Sequence, residues 1–243
     1  MRSRARPAII AVAVAVVSGA ACSVPGDSAA PTSERSATQQ SADGSTLSTQ
    51  SSESRALDDL CGGWDAYGAT LLALTASAAS GGAAELEVVS AAALVDAIEQ
   101  IGARWPAELV GERSVVLSDL VGPYLRRAQK ALDALAAVGA SDDDLRVLAL
   151  AWREALAARP AAAAAGAPLD PLAWLDAVVV PADLRGLVDA AVQQFTARVT
   201  SFAGDPTLPG RRALVQAEEA PRTEAYLSAN CPGVGATVAA IEF

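Results

Sequence analysis

The chain has 243 residues, with 28 acidic side chains against 18 basic ones and a net charge of −10 at pH 7. An acidic surface repels phosphate backbones, so we do not expect nucleic acid as a partner. The chain has no histidine. This excludes Ser-His-Asp and Cys-His catalytic machinery, histidine-containing zinc sites and ordinary haem ligation by histidine.

Residues 1–21 have the pattern of an export signal. Three arginines come first, an apolar run covers residues 8–17, and small residues lead to Cys22. This run is too short for a transmembrane helix, which needs roughly 20 residues. A cysteine directly after the small residues is what the bacterial lipoprotein pathway modifies with diacylglycerol. We therefore predict lipidation of Cys22 and a lipid anchor at the extracytoplasmic face of the cell membrane.

The three cysteines of the chain are Cys22, Cys61 and Cys231. Exported cysteines tend to pair, and lipidation of Cys22 leaves the other two to form a disulfide. Such a bridge requires Cα atoms about 4.4–6.8 Å apart, so it would bring the last helix beside the first. Gly19 stands where leucine or valine is commoner in a lipobox. Ordinary cleavage after Ala20 or Ala21, giving a freely secreted protein, is the alternative.

Residues 22–56 are predicted to be the lipidated cysteine and a disordered tether. The segment 23–56 is rich in Ser, Thr, Ala and Gln, with one leucine and no aromatic residue. Such a composition buries too little apolar area to offset the entropy of ordering it. As a random coil the segment would span on the order of 30–35 Å. Its Ser, Thr and Pro content also suits O-glycosylation, although an unmodified spacer is the simpler interpretation.

Residues 57–243 are predicted to form one all-α bundle of six or seven helices. Apolar residues three and four apart mark the first helix, which ends at Gly81-Gly82: Leu60, Trp64, Tyr67, Leu71 and Leu74. The pattern predicts further helices over about 85–105, 107–121, 124–138, 142–159, 181–202 and 214–230, with a short helical segment at 172–179. Residues 160–168 are predicted to be a spacer, and residues 234–243 are ambiguous.

Several groups of acidic residues could supply paired carboxylates for acid/base chemistry: Asp58-Asp59, Glu85 with Glu87, Asp142-Asp143-Asp144 and Glu218-Glu219. Adjacent residues on a helix point in different directions, so these groups are interpreted as solvated faces. Ser141 followed by Asp144 predicts a capping box. The calcium-loop pattern of alternating aspartates and glycine is missing there. We predict no catalytic residue, no cofactor and no metal site.

Arg126, Arg127 and Lys130 form the tightest basic cluster of the sequence. We interpret it as a solvated face balanced by Asp133, and a site for an acidic partner as the alternative.

Four tryptophans fall at or beside the apolar stripes: Trp64, Trp105, Trp152 and Trp174. We predict that they fill core volume. A hydrophobic ligand pocket lined by them is the alternative.

Four features of the sequence carry a family resemblance. They are GAAC at 19–22, the Ser/Thr-rich segment after it, WPAEL at 105–109 and YLSANC at 226–231. Together they resemble the small, alanine-rich helical lipoproteins of actinobacteria. The resemblance implies an extracytoplasmic, lipid-anchored bundle with an end-to-end disulfide, and it carries over no catalytic residue.

Three function classes are compatible with the sequence. The expected one is a non-enzymatic surface protein that binds another envelope component through a helical face. The second is a carrier or sensor of an apolar small molecule, which a cavity of several hundred Å³ would favour. The third is a histidine-free enzyme, which would need two facing carboxylates within about 10 Å.

Overall fold

A computed structural model describes residues 44–164, 175, 178–209, 219–232 and 234. The predicted signal segment, Cys22 and the first part of the predicted tether lie outside the described residues. So do most of the predicted segment 172–179, residues 210–218 and residues 235–243.

Every element in this part of the chain is helical, which confirms the all-α prediction. The short elements are 3₁₀ turns at Ala107–Leu109 and Phe202–Gly204 and a π-helical segment at Val115–Leu120. Six α-helices, α1 to α6, are described: Gly44–Ser80, Ala83–Ala103, Gly122–Ala137, Asp142–Ala164, Arg185–Thr196 and Pro221–Asn230.

Helix α2 lies at the centre of the bundle and packs against α1, α3, α4 and α5. The α1 stripe that the sequence predicts is buried as expected, each side chain being at most 2 % exposed: Leu60, Trp64, Tyr67, Leu71 and Leu74. The first four of these residues, Leu60, Trp64, Tyr67 and Leu71, belong to one continuous core with apolar positions of every other α-helix. The 3.6-residue period therefore predicts the α1 core face correctly.

Helix α1 begins at Gly44, earlier than the sequence predicts. Residues 44–56, which we expected to belong to the tether, are helical. Adding a residue to an existing helix avoids the cost of nucleation, so a packed helix can extend into a polar segment.

The prediction of one α-helix over 107–121 is wrong. The carbonyl oxygen of Glu108 accepts a hydrogen bond from Nη2 of Arg222 at 2.6 Å, and that of Leu109 accepts one from the indole nitrogen of Trp105 at 3.0 Å. Side chains thus bind carbonyl groups that an α-helix would use internally. The chain forms a 3₁₀ turn and then the π-helical segment instead.

Gly122 joins the π-helical segment to α3. A Cβ atom at this position would lie 3.1 Å from the carbonyl oxygen of Leu117, which is closer than most real Cβ contacts. The close approach of the backbone therefore favours glycine here.

Glycines end two helices as the sequence predicts. Gly81 follows α1 with φ of +81° and Gly139 follows α3 with φ of +91°. Side chains rarely adopt this left-handed conformation, which is why glycine is the common residue after a helix.

The prediction of a spacer over 160–168 is wrong for its described part, because α4 continues through Pro160 to Ala164, and residues 165–168 lie outside the described residues. Proline has no N–H group to donate to the carbonyl oxygen four residues earlier, which belongs to Leu156. Nε of Arg159 donates to that oxygen instead, at 3.1 Å. This hydrogen bond from Arg159 satisfies the carbonyl oxygen of Leu156, which has no backbone donor at Pro160.

The predicted helix over 181–202 is also shorter than expected. Helix α5 ends at Thr196, and Phe202 lies in a separate 3₁₀ turn. The carbonyl oxygen of Thr200 accepts a hydrogen bond from Arg127, so α3 binds a carbonyl group that a continuous α-helix would use internally. The final described helix begins at Pro221, and residues 214–218 of the predicted helix lie outside the described residues.

Cys61 and Cys231 form a disulfide, with Cα atoms 5.2 Å apart. The bridge confirms the predicted pairing. It joins α1 to the residue that directly follows α6, and the two helices are in contact.

Candidate ligand cavity at Arg127

Arg127 on α3 is buried, with 6 % of its surface exposed, so the interpretation of the basic cluster as a solvated face is wrong for this residue. Arg126 and Lys130 are exposed as expected. Arg127 lies three residues after Tyr124 and four before Ala131, both of which are buried. Its position in phase with the apolar stripe of α3 is the signal that could have identified it.

The guanidinium group of Arg127 binds three other residues of the chain. Nε and Nη2 donate to the two carboxylate oxygens of Glu87 on α2, the second at 3.1 Å. Nη1 donates to Oδ2 of Asp205 at 2.7 Å, and Nη2 also donates to the carbonyl oxygen of Thr200 at 2.9 Å. The expectation of a solvated face is also wrong for Glu87, which is 5 % exposed.

Two phenylalanine rings flank the same guanidinium group. Its Cζ atom lies 5.5 Å from the ring centroid of Phe195 and 5.5 Å from that of Phe202. A cation over an aromatic face is attracted by the ring quadrupole, and Arg is well suited to this contact because it is planar and weakly hydrated. The rings therefore cover the charged cluster with apolar surface.

The pKa values of the cluster reflect burial and pairing together. Burial raises the pKa of Glu87 above its ordinary value, against the opposing effect of the Arg127 hydrogen bonds and charge. A hydrogen bond from the Thr207 hydroxyl, together with Arg127, lowers the pKa of Asp205. Burial acts to lower the pKa of Arg127, but the hydrogen bonds and charges of Glu87 and Asp205 outweigh it and raise that pKa.

A cavity of about 310 Å³ lies beside this cluster, between the end of α1, the start of α2 and residues 195–203. Small or apolar residues form much of its lining, among them Ala84, Val199 and Ala203. Phe195 and Phe202 also line it, and among the described residues Glu87 and Arg127 are the ionisable ones of the lining. The cavity thus combines an apolar wall with one charged cluster.

A much smaller cavity, of about 10 Å³, is lined by Glu87, Arg127 and Phe202 as well as by Ser90. The hydroxyl oxygen of Ser90 is buried and has no hydrogen-bond partner among the described residues. Because three residues line both cavities, the two adjoin at the Glu87–Arg127 pair.

Two members of the other acidic groups, Glu85 and Asp59, pair with arginines. Glu85 is bound by Arg185 at 2.6 Å and Asp59 by Arg104 at 3.0 Å, both near the surface. Ser141 and Asp144 form the predicted capping box: the Ser141 amide donates to Asp144 Oδ2 at 2.8 Å, and the Asp144 amide donates to Ser141 Oγ at 3.2 Å. Glu218 lies outside the described residues.

The tryptophans behave as core residues where they are described. Trp64 and Trp152 are at most 1 % exposed, and Trp105 is half-buried. The alternative, a pocket lined by tryptophan, does not describe the cavity at Arg127, which is lined by phenylalanine. Trp174 lies outside the described residues.

Searches against protein families, characterised proteins and solved structures found no match to this chain. Among the described residues, no helix is both long and apolar enough to span a bilayer, and no three acidic or cysteine side chains are grouped so as to hold a metal ion.

Proposed function

We propose that this protein is a lipid-anchored, extracytoplasmic, non-enzymatic binding protein that holds a small molecule in the cavity at Arg127. The observation that carries the proposal is the cavity itself. Its volume of about 310 Å³ is within the range of small-molecule sites, and it has a largely apolar wall with a few convergent polar groups. This is the property that favours a carrier or sensor over a protein with a sealed core.

The anchoring part of the proposal rests on the N-terminal sequence. A basic start, a short apolar run and small residues precede Cys22. The disulfide between Cys61 and Cys231 agrees with an oxidising compartment outside the cytoplasm. The lipid on Cys22 would hold the bundle at the membrane.

The non-enzymatic part follows from how the carboxylates are used. Glu87 and Asp205 are the two acids of the buried cluster, and both are bound by Arg127. A general acid or base needs a carboxyl group that can reach a reacting atom. Here the guanidinium group lies between the two acids, which suits binding better than proton transfer.

Native mass spectrometry of the protein purified from its own membrane tests ligand binding. We expect a small molecule to be retained by the wild-type chain and lost from Ala84→Phe, which fills the cavity. Ala103→Phe, on the exposed end of the same helix, is the control and should retain the molecule. A ligand carried equally by all three chains would contradict binding in this cavity, and its absence from the wild type would contradict the function.

Membrane fractionation tests the anchor separately. Cys22→Ser should release the protein from the membrane fraction or leave its precursor unprocessed. A mutant that is processed normally and stays in the membrane fraction would contradict lipidation.

A second candidate is an interaction with another envelope protein through α4. Val147 and Leu150 lie three residues apart on this helix and are 41 % and 55 % exposed, so they present apolar surface on one face. Crosslinking in intact cells should capture a partner protein with the wild-type chain. The Val147→Asp variant should fail to capture it. Val110→Asp, at a residue that is 70 % exposed outside α4, should keep it. Equal crosslinking by both variants would contradict this candidate.

A further inference from the structure

We infer that the cavity at Arg127 takes a small organic cation, a primary amine on an apolar body, with Glu87 as its counterion. The inference rests on the proposed function, since it names the class of the molecule that the cavity would hold.

The charge of the buried cluster is the first argument. Arg127 carries one positive charge, while Glu87 and Asp205 carry one negative charge each, so the ionised cluster has a net charge of −1. Arg127 is the one basic residue of the lining in the part of the chain that the structure describes, and both acids already bind it. A carboxylate or phosphate ligand would add to the net negative charge of this cluster, whereas an ammonium group would balance it.

The second argument is the unused hydrogen-bonding capacity of Glu87. An ionised carboxylate can accept about four hydrogen bonds. Each oxygen of Glu87 accepts one from Arg127, which leaves about half of that capacity to a molecule in the cavity that Glu87 lines. A ligand with several N–H groups would supply the hydrogen-bond donors that this carboxylate lacks.

Ser90 is a third, independent observation. Its buried hydroxyl oxygen has no partner among the described residues, and it lines the small cavity that adjoins Glu87. Buried polar groups without partners are rare in folded proteins. The small cavity is about the size that holds one water molecule, which could connect the Ser90 hydroxyl to the ammonium group.

The lining of the cavity at Arg127 determines what kind of ligand body fits beside the ammonium group. Alanine side chains, Val199 and the two phenylalanine rings offer an apolar surface without further charge. A hydrated inorganic cation gains nothing from such a surface, whereas a hydrocarbon body does. We therefore commit to an amphipathic amine rather than to a metal ion.

Three probes of similar shape test the inference: phenethylamine, 2-phenylethanol and phenylacetate. Binding to the mature full chain is measured by ligand-observed NMR titration. We expect the amine to bind about tenfold more tightly than the alcohol, because charge-assisted hydrogen bonds are the stronger ones. Phenylacetate should be the weakest of the three.

Glu87→Gln keeps the shape of the side chain and removes its charge. It should reduce the advantage of the amine over the alcohol to about twofold or less, since only the charge-dependent part of binding is lost. Glu85→Gln is the matched control, because Glu85 is exposed on the same helix and pairs with Arg185. This control should leave the preference unchanged. If Glu87→Gln does not fold, Asp205→Asn neutralises the same cluster and should reduce the preference in the same direction.

The possible failures are distinguishable. If the alcohol binds as tightly as the amine and Ala84→Phe abolishes both, the cation inference is overturned while the binding function stands. If phenylacetate binds most tightly, Arg127 rather than Glu87 selects the ligand and the inference is overturned. If none of the three binds and the natural protein carries no retained molecule, the inference and the proposed function both fail.

Discussion

Arg127 and Glu87, forty residues apart in the chain, form a bidentate ion pair in the interior of the bundle. Nε and Nη2 of the arginine donate to the two oxygens of the carboxylate, and the exposed fractions of the side chains are 6 % and 5 %. The pair joins α3 to α2, and Asp205 adds the segment after α5. One side chain thus connects three parts of the fold beside the cavity.

Replacement of Arg127 should be strongly destabilising. Arg127→Met leaves two carboxylates in a site that no longer holds a positive charge, and we expect a loss of about 3–5 kcal/mol in the free energy of unfolding. Urea denaturation measures it. Arg126→Met, at the neighbouring exposed position, should change the stability by no more than about 0.5 kcal/mol. Equal effects of the two substitutions would mean that the buried pair has no special role.

Reduction of the disulfide should lower the thermal stability without removing the helices. The bridge joins residues 170 apart, and the loop-entropy treatment gives an upper figure of about 5 kcal/mol for a closure of this length. The bridge chiefly restricts the unfolded chain, so circular dichroism at low temperature should change little. Thermal melts of oxidised and reduced protein make the comparison. Two alkylatable thiols in the native protein would contradict the bridge.

Stability should fall on the acid side because several carboxyl groups have a lowered pKa in the folded state. For Asp205 the causes are hydrogen bonds from Thr207 and the pairing with Arg127. For Glu112, burial acts to raise the pKa, but hydrogen bonds from Thr223 and Arg222 outweigh it. Such carboxyl groups stabilise the fold at pH values above their ordinary pKa of about 4. They lose this contribution as the pH falls through their lowered pKa in the folded state.

The contribution of Glu87 to stability changes with pH in the opposite direction. Because burial raises its pKa, its contribution is present at low pH and is lost as the pH rises through the raised value. Three carboxyl groups, those of Glu112, Asp144 and Asp205, have a lowered pKa against the one raised pKa of Glu87. We therefore expect their effect to outweigh that of Glu87, so that melts at pH 6, 4 and 3 show a decreasing melting temperature for the wild type. The decrease should be smaller for Asp205→Asn, which cannot be protonated in this range. An identical decrease in the variant would contradict the role of Asp205.

The capping box of α4 gives a local prediction. Ser141→Ala removes the hydroxyl oxygen that accepts the amide of Asp144, which should cost about 0.5–2 kcal/mol of stability. Ser114 precedes the π-helical segment, is exposed and makes no capping bond with its side chain. Ser114→Ala is therefore the control and should be close to neutral in chemical denaturation. A neutral result for Ser141→Ala would show that the box contributes nothing.

The sequence by itself determined the features that depend on neighbours along the chain. The stripe from Leu60 to Leu74 predicts the buried face of α1, and Ser141 with Asp144 predicts the start of α4. Gly81 and Gly139 mark helix ends because a left-handed backbone is needed there. The disulfide was predicted by elimination among three cysteines in a chain that begins with the pattern of an export signal.

Only the tertiary structure decided the burial of Arg127 and the existence of its cavity. A charge is tolerated in the interior when opposite charges and hydrogen-bond acceptors surround it, and those of Arg127 lie 40 and 78 residues away in the sequence. The tertiary structure also decided the formation of the π-helical segment. The turn before it is held by Arg222, which binds the carbonyl oxygen of Glu108 from 114 residues away in the sequence. Periodicity reports which face of a helix is apolar, whereas the partners that satisfy a buried polar group are set by how distant segments pack.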